Sequence, residues 1–343
     1  MTDPRPVTVG VIGCGDISKV YLRNCIAMPA MEVVACADLS RERALARAEE
    51  FGVPRVLEVE ELIEDDDIEV VLNLTVPLAH ADVSQNALLA GKHVYSEKPL
   101  AVNREDGRHL LELAAGRGLL LGCAPDTFLG PAWQACRRAI DEGIIGEAIA
   151  GSAVMMTHGQ ESWHPDPDFF YAPGGGPMFD MAPYYLTVLV SLLGPVRRVA
   201  ASARVTFPLR TITSLPRRGQ TITVTTPTHL AGMLDFANGA VVTLVTSFDV
   251  WSHSLPPIEL YGTEGTLLAT DPNHFAGRMR VRHRDGPELL DIYPDTGPGP
   301  DLRGLGLAGL VAQLRGVGCL RAGGELAYHV LDVMQAFLDS SET

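Results

Sequence analysis

VTVGVIGCGDIS, residues 7–18, is the most informative segment for the fold of the first part of the chain. Its first seven residues are a β-branched run ending in glycine, which is typical of a buried strand. The turn that follows matches G-x-G-x-x-G, except that Ser18 stands in the last position. In this pattern the first two glycines allow a tight turn and a close approach of the backbone to a pyrophosphate at a helix N-terminus. The residues predicted to contact a dinucleotide here are Gly13, Gly15, Asp16 and Ile17.

An acidic residue follows the second predicted strand, Glu32–Ala37. A carboxylate at Asp38 can accept hydrogen bonds from the adenosine ribose and would repel a 2′-phosphate. Arg41 and Arg43 lie close behind it and could hold such a phosphate. The pattern therefore favours NAD and leaves NADP open, with Asp38 and Arg43 as predicted cofactor contacts.

Strand and helix patterns alternate over the first part of the chain. Ile68–Val76, His93–Ser96 and Leu119–Cys123 are predicted strands, and helical patterns of about 10–15 residues separate them. This rhythm predicts an α/β fold, with a Rossmann doubly wound parallel sheet as an NAD(P)-binding domain over residues 1–124. Further on, the rhythm changes, and Asn238-Gly239 is a strong hairpin signal. Residues 125–343 are therefore predicted to form an α+β domain with a large, mostly antiparallel open sheet.

Charge and composition exclude several classes of protein. The chain has 343 residues and a formal net charge of −15, which argues against non-specific binding of nucleic acid or of an anionic membrane. The longest strongly apolar stretch, near residues 186–193, is far shorter than the roughly 20 residues that span a bilayer. Six isolated cysteines, with no C-x-x-C pair, predict no metal site and fit a reducing compartment. We expect a cytoplasmic protein without nucleic-acid or membrane partners.

The strand His93–Ser96 ends in Glu97-Lys98-Pro99. Because ligands sit at the carboxyl ends of the strands in a doubly wound sheet, Lys98 should face the cofactor cleft. A lone lysine would more often be an exposed surface residue, so this prediction depends on the motifs around it.

Together these motifs resemble the glucose–fructose oxidoreductase/inositol dehydrogenase (Gfo/Idh/MocA) family. The glycine turn, the Asn73–Pro77 turn with His80, and Glu97-Lys98-Pro99 occur in the family's order. GGGPMFDMAPYY, residues 174–185, is similar to the family's second active-site segment, and residues 324–337 resemble its terminal helix. The resemblance covers nearly the whole chain.

Membership in this family implies a nicotinamide dinucleotide and hydride transfer between its ring and a carbinol carbon of the substrate. It also implies that the second domain, residues 125–343, binds substrate and serves oligomerisation. Because the open sheet of that domain often forms a dimer interface in the family, we expect a homodimer or homotetramer. Lys98 matches the family's catalytic lysine, often followed by a cis proline, and Asp180 matches its active-site carboxylate. The resemblance places near the cofactor Thr75, Val76, Pro77, His80 and Glu97.

The chain departs from the common family pattern at Tyr184, where many members carry a histidine as general acid/base. A phenol has a reference pKa of about 10, and a neighbouring ammonium with a positive nicotinamide would lower it. Tyr184 and Lys98 form a workable pair, and either one could carry the proton. Asp180 has an alternative structural role, because Pro183 fits the first turn of a helix for which Asp180 would be the N-cap.

A loop upstream of this segment, residues 161–170, brings together aromatic, imidazole and carboxylate groups. Trp163 could stack on a sugar-like ring and His164 could hydrogen-bond its hydroxyls. Alternatively, the aromatic side chains are structural. The predicted substrate contacts are Lys98, Trp163, His164, Asp180 and Tyr184.

The sequence as a whole predicts an NAD(P)-dependent dehydrogenase or reductase that acts on a secondary alcohol or ketone of a sugar, cyclitol or related polyol. Alternatives are a trans-dihydrodiol-type dehydrogenase, an NAD-dependent glycosidase and a non-catalytic dinucleotide-sensing regulator. The joint presence of lysine, carboxylate and proton donor disfavours the regulator.

Overall fold

A computed structural model describes residues 5–294, 296–297 and 299–342. The chain divides into two compact units. The first unit comprises residues 1–126 and 301–331, and the second comprises residues 127–300 and 332–343. The single boundary at residue 124 remains a prediction. The compact units differ from it in grouping residues 301–331 with the first part of the chain.

Strands and helices occur along the chain with the following bounds. The strands are β1 (Val7–Ile12), β2 (Met31–Ala37), β3 (Val70–Asn73), β4 (His93–Ser96), β5 (Leu121–Cys123), β6 (Ala148–Met156), β7 (Val196–Arg204), β8 (Leu209–Thr211), β9 (Thr221–Thr223), β10 (His229–Phe236), β11 (Val241–Ser247), β12 (Ile258–Gly262), β13 (Gly265–Ala269), β14 (Met279–His283) and β15 (Leu289–Tyr293). The α-helices are α1 (Ser18–Ile26), α2 (Arg41–Phe51), α3 (Val59–Glu64), α4 (His80–Leu89), α5 (Arg104–Arg117), α6 (Pro131–Asp141), α7 (Gly176–Asp180), α8 (Ala182–Leu193), α9 (Leu305–Leu314) and α10 (Gly324–Ser341).

The first unit contains a five-stranded sheet in the order β2-β1-β3-β4-β5, and every neighbouring pair is parallel. Val9, Val11 and Val71 are fully buried in it, as expected for a sheet covered on both faces. The predicted doubly wound Rossmann sheet is thus confirmed. From β1 the chain adds β2 on one side, and it then adds β3, β4 and β5 on the other side. The boundary between β1 and β3 is therefore the topological switch point, where such sheets bind ligands.

Strand β3 is shorter than the predicted Ile68–Val76, because the chain turns after Asn73. The Asn73 side chain accepts hydrogen bonds from the main-chain N–H and the hydroxyl of Thr75, at 3.2 and 2.7 Å. Such local side-chain bonds compete with the strand ladder and favour a turn.

The second unit contains an eight-stranded sheet in the order β15-β14-β13-β12-β6-β11-β10-β7. Only the β6–β11 pair is parallel, which confirms the predicted mostly antiparallel sheet. Asn238-Gly239 joins β10 to β11, and Gly239 has a φ of +96°. The predicted hairpin is therefore present. Strands β8 and β9 form a separate two-stranded sheet.

Residues 176–193 form two helices, α7 and α8, which are separated at Met181. Pro183 has no N–H with which to continue a helical ladder from α7, but it fits the first turn of α8. Within the described ranges, no helix is both long enough and apolar enough to cross a membrane.

A buried carboxylate ties residues 304–306 into the first unit. One oxygen of Asp126 accepts hydrogen bonds from the main-chain N–H groups of Gly304 and Gly306, both at 2.9 Å. The side chain is 1% exposed, and burial raises the pKa of Asp126 to about 6. Burial thus disfavours the charged form, while the two N–H donors favour it.

We expect Asp126→Asn to gain stability over the wild type as the pH rises from about 4 to about 7. The pKa is higher in the folded state than in the unfolded state, so the native protein binds more protons across this window and its stability falls with rising pH. Asparagine keeps an acceptor for both N–H groups and does not ionise. The difference in unfolding free energy should grow by up to about 3 kcal/mol.

Urea denaturation of both proteins at several pH values in this window measures the change. The exposed Asp66→Asn serves as the charge-matched control, and the excess pH dependence of Asp126→Asn over it measures the effect of burial. The same pH dependence for both substitutions would contradict a raised pKa at Asp126.

Candidate functional site

The glycine turn after β1 leaves open space beside its backbone. Gly13 has a φ of +101°, and a Cβ there would lie 2.5 Å from the carbonyl oxygen of Leu74, so this position requires glycine. A Cβ on Gly15 would meet no atom within 4 Å. Ser18, in place of the third glycine, is buried and donates its hydroxyl to the carbonyl of Gly15 at 2.6 Å. The turn therefore packs closely against the Leu74 main chain at Gly13 and leaves space for a ligand at Gly15.

Asp38 links this turn to the end of β2. Its Oδ2 accepts a hydrogen bond from the main-chain N–H of Cys14 at 2.8 Å, and its Oδ1 lies 3.3 Å from a guanidinium nitrogen of Arg43. Oδ1 also accepts from the main-chain N–H of Ser40 at 2.8 Å. Arg41 pairs with Glu58 instead, at 2.8 Å. Both nearby arginines thus contact carboxylates, and Asp38 orders the turn.

Arg47, on α2, is a residue of this region that the sequence analysis missed. Its Nη2 lies 3.4 Å from the carbonyl oxygens of both Cys14 and Gly15, and its Nη1 pairs with Glu50. The Arg47 guanidinium thus stabilises the glycine turn by contacting two of its main-chain carbonyl oxygens. No sequence spacing indicates this contact, because Arg47 lies more than 30 residues from its partners in the turn.

The turn after β3 is built around His80. This side chain is fully buried, with Nδ1 2.6 Å from the carbonyl oxygen of Pro99 and Nε2 3.0 Å from that of Thr75. Burial lowers the pKa of His80. The ring therefore links the Thr75 turn to the segment after β4, while Val76 in the turn is 62% exposed. The side chain of Asn73 holds the same turn by donating to the carbonyl oxygen of His80 at 3.0 Å.

Glu97 and Lys98 follow β4. The Glu97 carboxylate is 7% exposed and accepts hydrogen bonds from the Tyr21 hydroxyl at 2.8 Å and from the main-chain N–H of Lys98 at 2.9 Å. Burial and the Glu97 charge hold the pKa of Tyr21 well above its usual range, so this phenol stays a donor. Lys98 is partly buried, and the Lys98–Pro99 peptide is cis, as the family resemblance implies.

These features converge because the carboxyl ends of parallel strands lie at one edge of a sheet. β1 ends in the glycine turn, β3 in the Thr75 turn and β4 in Glu97-Lys98, and these strands are neighbours at the switch point. An open glycine turn at a helix N-terminus with a carboxylate after the second strand fits a dinucleotide. The described residues contain no group of three or more His, Cys, Asp or Glu side chains arranged to hold a metal ion.

In the second unit, Asp180 ends α7 and Tyr184 lies in the first turn of α8. The N-cap position of α8 is occupied by Met181, so the alternative of Asp180 as that helix's N-cap is wrong. Oδ2 of Asp180 instead accepts a hydrogen bond from the side-chain amide of Gln160 at 3.1 Å. Tyr184 is 6% exposed. The carboxylate is thus oriented by a side chain that the sequence analysis did not single out.

The loop that carries Trp163 and His164 is also centred on Gln160. The Trp163 ring is 62% exposed, and its indole N–H donates to Oε1 of Gln160 at 2.7 Å. His164 packs edge-on against Phe169 and Phe170, with ring centroids 5.4 and 5.2 Å apart. The structure therefore presents Trp163 outward and holds His164 within an aromatic cluster.

Glu161, at the start of this loop, belongs to a buried ion cluster with Arg210 and Asp249. This cluster was not predicted from the sequence. Arg210 pairs with Glu161 at 2.7 Å and with Asp249, and all three side chains are less than 10% exposed. Arg210 also donates to the carbonyl oxygens of His158 and Phe248, at 2.9 and 2.7 Å. Buried charges are costly unless they are paired and hydrogen-bonded, so separating these three side chains would be unfavourable. The cluster therefore holds the main chain at Glu161 in place.

The carboxyl-edge arrangement in the first unit defines a dinucleotide-binding oxidoreductase domain. A model of the oxidoreductase family with an NAD-binding Rossmann fold matches residues 7–124, and a model of the GFO/IDH/MocA C-terminal domain matches residues 133–268. The chain therefore belongs to the Gfo/Idh/MocA family of oxidoreductases, as the sequence resemblance indicated.

Known proteins resemble the chain over most of its length. A 1,5-anhydro-D-fructose reductase of Ensifer adhaerens is 29% identical over 294 residues, which are 83% of each chain. A dTDP-3,4-didehydro-2,6-dideoxy-alpha-D-glucose 3-reductase of Streptomyces violaceoruber is 36% identical over 202 residues, 57% of each chain. A structure of levoglucosan dehydrogenase with NADH and L-sorbose has a TM-score of 0.86 at 22% identity, covering 98% of this chain and 97% of that one. This structural likeness supports the fold.

Proposed function

We propose that the protein is an NAD-dependent dehydrogenase or reductase that acts on a secondary alcohol or ketone of a sugar, cyclitol or related polyol. The observation that carries this proposal is the neighbouring position of the glycine turn, the Thr75 turn and Lys98 at the carboxyl edge of the parallel sheet. The names of the curated relatives, which include a 1,5-anhydro-D-fructose reductase, support a sugar-like substrate.

The residues that would hold the cofactor lie on the first unit. The open turn at Gly15 takes the pyrophosphate, and Asp38 accepts from the adenosine ribose with the lone pairs that Cys14 and Ser40 leave. Asp38 favours NAD over NADP, because a 2′-phosphate would approach its carboxylate. The other proposed contacts are Gly13, Asp16, Ile17, Arg43, Thr75, Val76, Pro77, Glu97 and Lys98. His80 would contribute to cofactor binding indirectly, because its ring holds the Thr75 turn in place.

Lys98, Asp180 and Tyr184 are the proposed catalytic residues, and Trp163 and His164 contact the substrate with them. A bound nicotinamide would supply the hydride acceptor for oxidation of the carbinol, or the hydride donor for reduction of the ketone. In the oxidative direction, Tyr184 or Lys98 accepts the hydroxyl proton, and the carbinol becomes a ketone. An ammonium at Lys98 would stabilise negative charge on the substrate oxygen.

A panel of polyols tests this proposal. Nicotinamide absorbance is followed with NAD and with NADP against aldoses, inositols, sugar acids and aromatic dihydrodiols. We expect turnover with a sugar or cyclitol and a higher kcat/KM with NAD. Tight NADH binding without turnover of any panel member would contradict the proposal, and turnover of dihydrodiols alone would replace its substrate class.

We also propose that the protein forms a homodimer or homotetramer. We propose further that it acts in a reducing compartment such as the cytoplasm. Ala200, Met233 and Thr243 lie opposite one another on β7, β10 and β11, and all three are exposed. A second copy would cover this sheet face. All six cysteines are free thiols, which supports the compartment.

A further inference from the structure

We infer that Gln160 is a positioning residue that ties the substrate-facing ring of Trp163 to the carboxylate of Asp180. This inference rests on the proposed function, because it assigns to Gln160 the orientation of two residues of that site. The side chain is 8% exposed and bonds to both partners, with its Nε2 3.1 Å from Oδ2 of Asp180 and its Oε1 2.7 Å from the indole nitrogen of Trp163.

The chemistry of the two partners leaves the Gln160 amide one orientation. An indole N–H only donates, so it requires the carbonyl oxygen of the amide. An ionised carboxylate only accepts, so it requires the amide NH₂. A flipped amide would place a donor against the indole and an acceptor against Asp180. Each partner therefore reinforces the orientation that the other needs.

The main chain of Gln160 is held as firmly as its side chain. Its N–H donates to the Tyr171 hydroxyl at 3.0 Å, and its carbonyl oxygen accepts from the main-chain N–H groups of Trp163 and His164 at 3.3 and 2.9 Å. The Tyr171 hydroxyl in turn donates to Glu161, which belongs to the buried cluster with Arg210. The amide is thus presented from a fixed backbone, as a positioning group requires.

Three substitutions separate positioning from simple packing. Gln160→Met keeps the approximate shape and removes both side-chain bonds, so kcat should fall and KM should rise, with kcat/KM lowered roughly tenfold to hundredfold. Trp163→Phe removes only the indole bond and part of the ring, so KM should rise while kcat changes little. Gln160→Glu keeps the acceptor for Trp163 but sets a carboxyl against Asp180.

The pH dependence of Gln160→Glu gives the sharpest result. Two carboxyl groups at hydrogen-bond distance share a proton, and the protonated form again donates to Asp180. The kcat of Gln160→Glu, relative to the wild type at each pH, should therefore be low at neutral pH and recover as the pH falls. Gln160→Met should show no such recovery. Gln313→Glu, an exposed position whose oxygen accepts from the main-chain N–H of Leu320, is the charge-matched control and should follow the wild type.

The experiment uses the panel substrate with the highest turnover, together with ¹⁵N-indole NMR of the cofactor-free protein. The chain has three tryptophans, and Trp163→Phe identifies the Trp163 signal. That signal should shift in Gln160→Met and should titrate with pH in Gln160→Glu. If the wild type turns over the substrate and both Gln160 variants keep its kcat and KM, the inference is overturned and the proposed function stands. Lack of wild-type turnover would overturn the function, and an unmoved Trp163 signal would then overturn the contact itself.

Discussion

Lys98→Met is expected to lower kcat, measured at saturating cofactor, by roughly 10²–10⁴-fold. The substitution removes the ammonium that we propose stabilises charge on the substrate oxygen and shares in the proton transfer. Its backbone N–H still donates to Glu97, so the turn after β4 keeps its main-chain support. Steady-state kinetics with the best panel substrate measure the loss, and quenching of protein fluorescence by NADH measures affinity.

Lys98→Arg is the matched variant for this prediction. Arginine keeps a positive charge but does not release its proton in the working pH range, so it separates charge stabilisation from proton transfer. Partial recovery of kcat in Lys98→Arg would assign Lys98 an electrostatic role and leave the proton to Tyr184. Near-wild-type kcat in Lys98→Met, with NADH binding intact, would remove Lys98 from the mechanism.

Arg210→Met is expected to cost about 3–5 kcal/mol of unfolding free energy, because it leaves the carboxylates of Glu161 and Asp249 buried without their cation. It also releases the main-chain carbonyls of His158 and Phe248 from their donors. Urea denaturation at neutral pH measures the loss.

The control is the exposed ion pair of Arg198 with Asp235 in the same unit, at 2.6 Å. The Arg198 side chain is 77% exposed, so Arg198→Met should cost less than about 1 kcal/mol. If the two substitutions cost the same, Arg210 does not hold the loop in the way described.

The fold was predictable where a local pattern is sufficient. The glycine turn lies within a few residues of the strand it ends, and the Asn238-Gly239 hairpin is set by two neighbouring residues. The position of Pro183 in the first turn of a helix was predictable as well, because a residue without an N–H is tolerated there, and α8 confirms it. The N-cap of that helix was not predictable, since Met181 and not Asp180 occupies it.

The candidate site was predictable where a family motif carries it, as at Lys98, and hidden where partners are remote in sequence. Arg210 contacts carboxylates 49 and 39 positions away, and Asp126 contacts Gly304 across 178 positions. Gln160 looks like an ordinary loop residue until its two partners are placed beside it. Long-range polar contacts of this kind leave no spacing signal in a single sequence.

A single-turnover reaction with a carbinol-deuterated polyol shows whether the protein transfers a hydride from a carbinol carbon to the nicotinamide. Enzyme in excess is mixed with NAD and the labelled substrate, and the yields of NADH and of ketone are measured with the position of the deuterium. We expect equal yields of NADH and ketone, deuterium on the nicotinamide, and a much lower yield from Lys98→Met and from Tyr184→Phe at the same reaction time. Deuterium retained on the sugar, or full yield from both variants, would contradict the proposed mechanism.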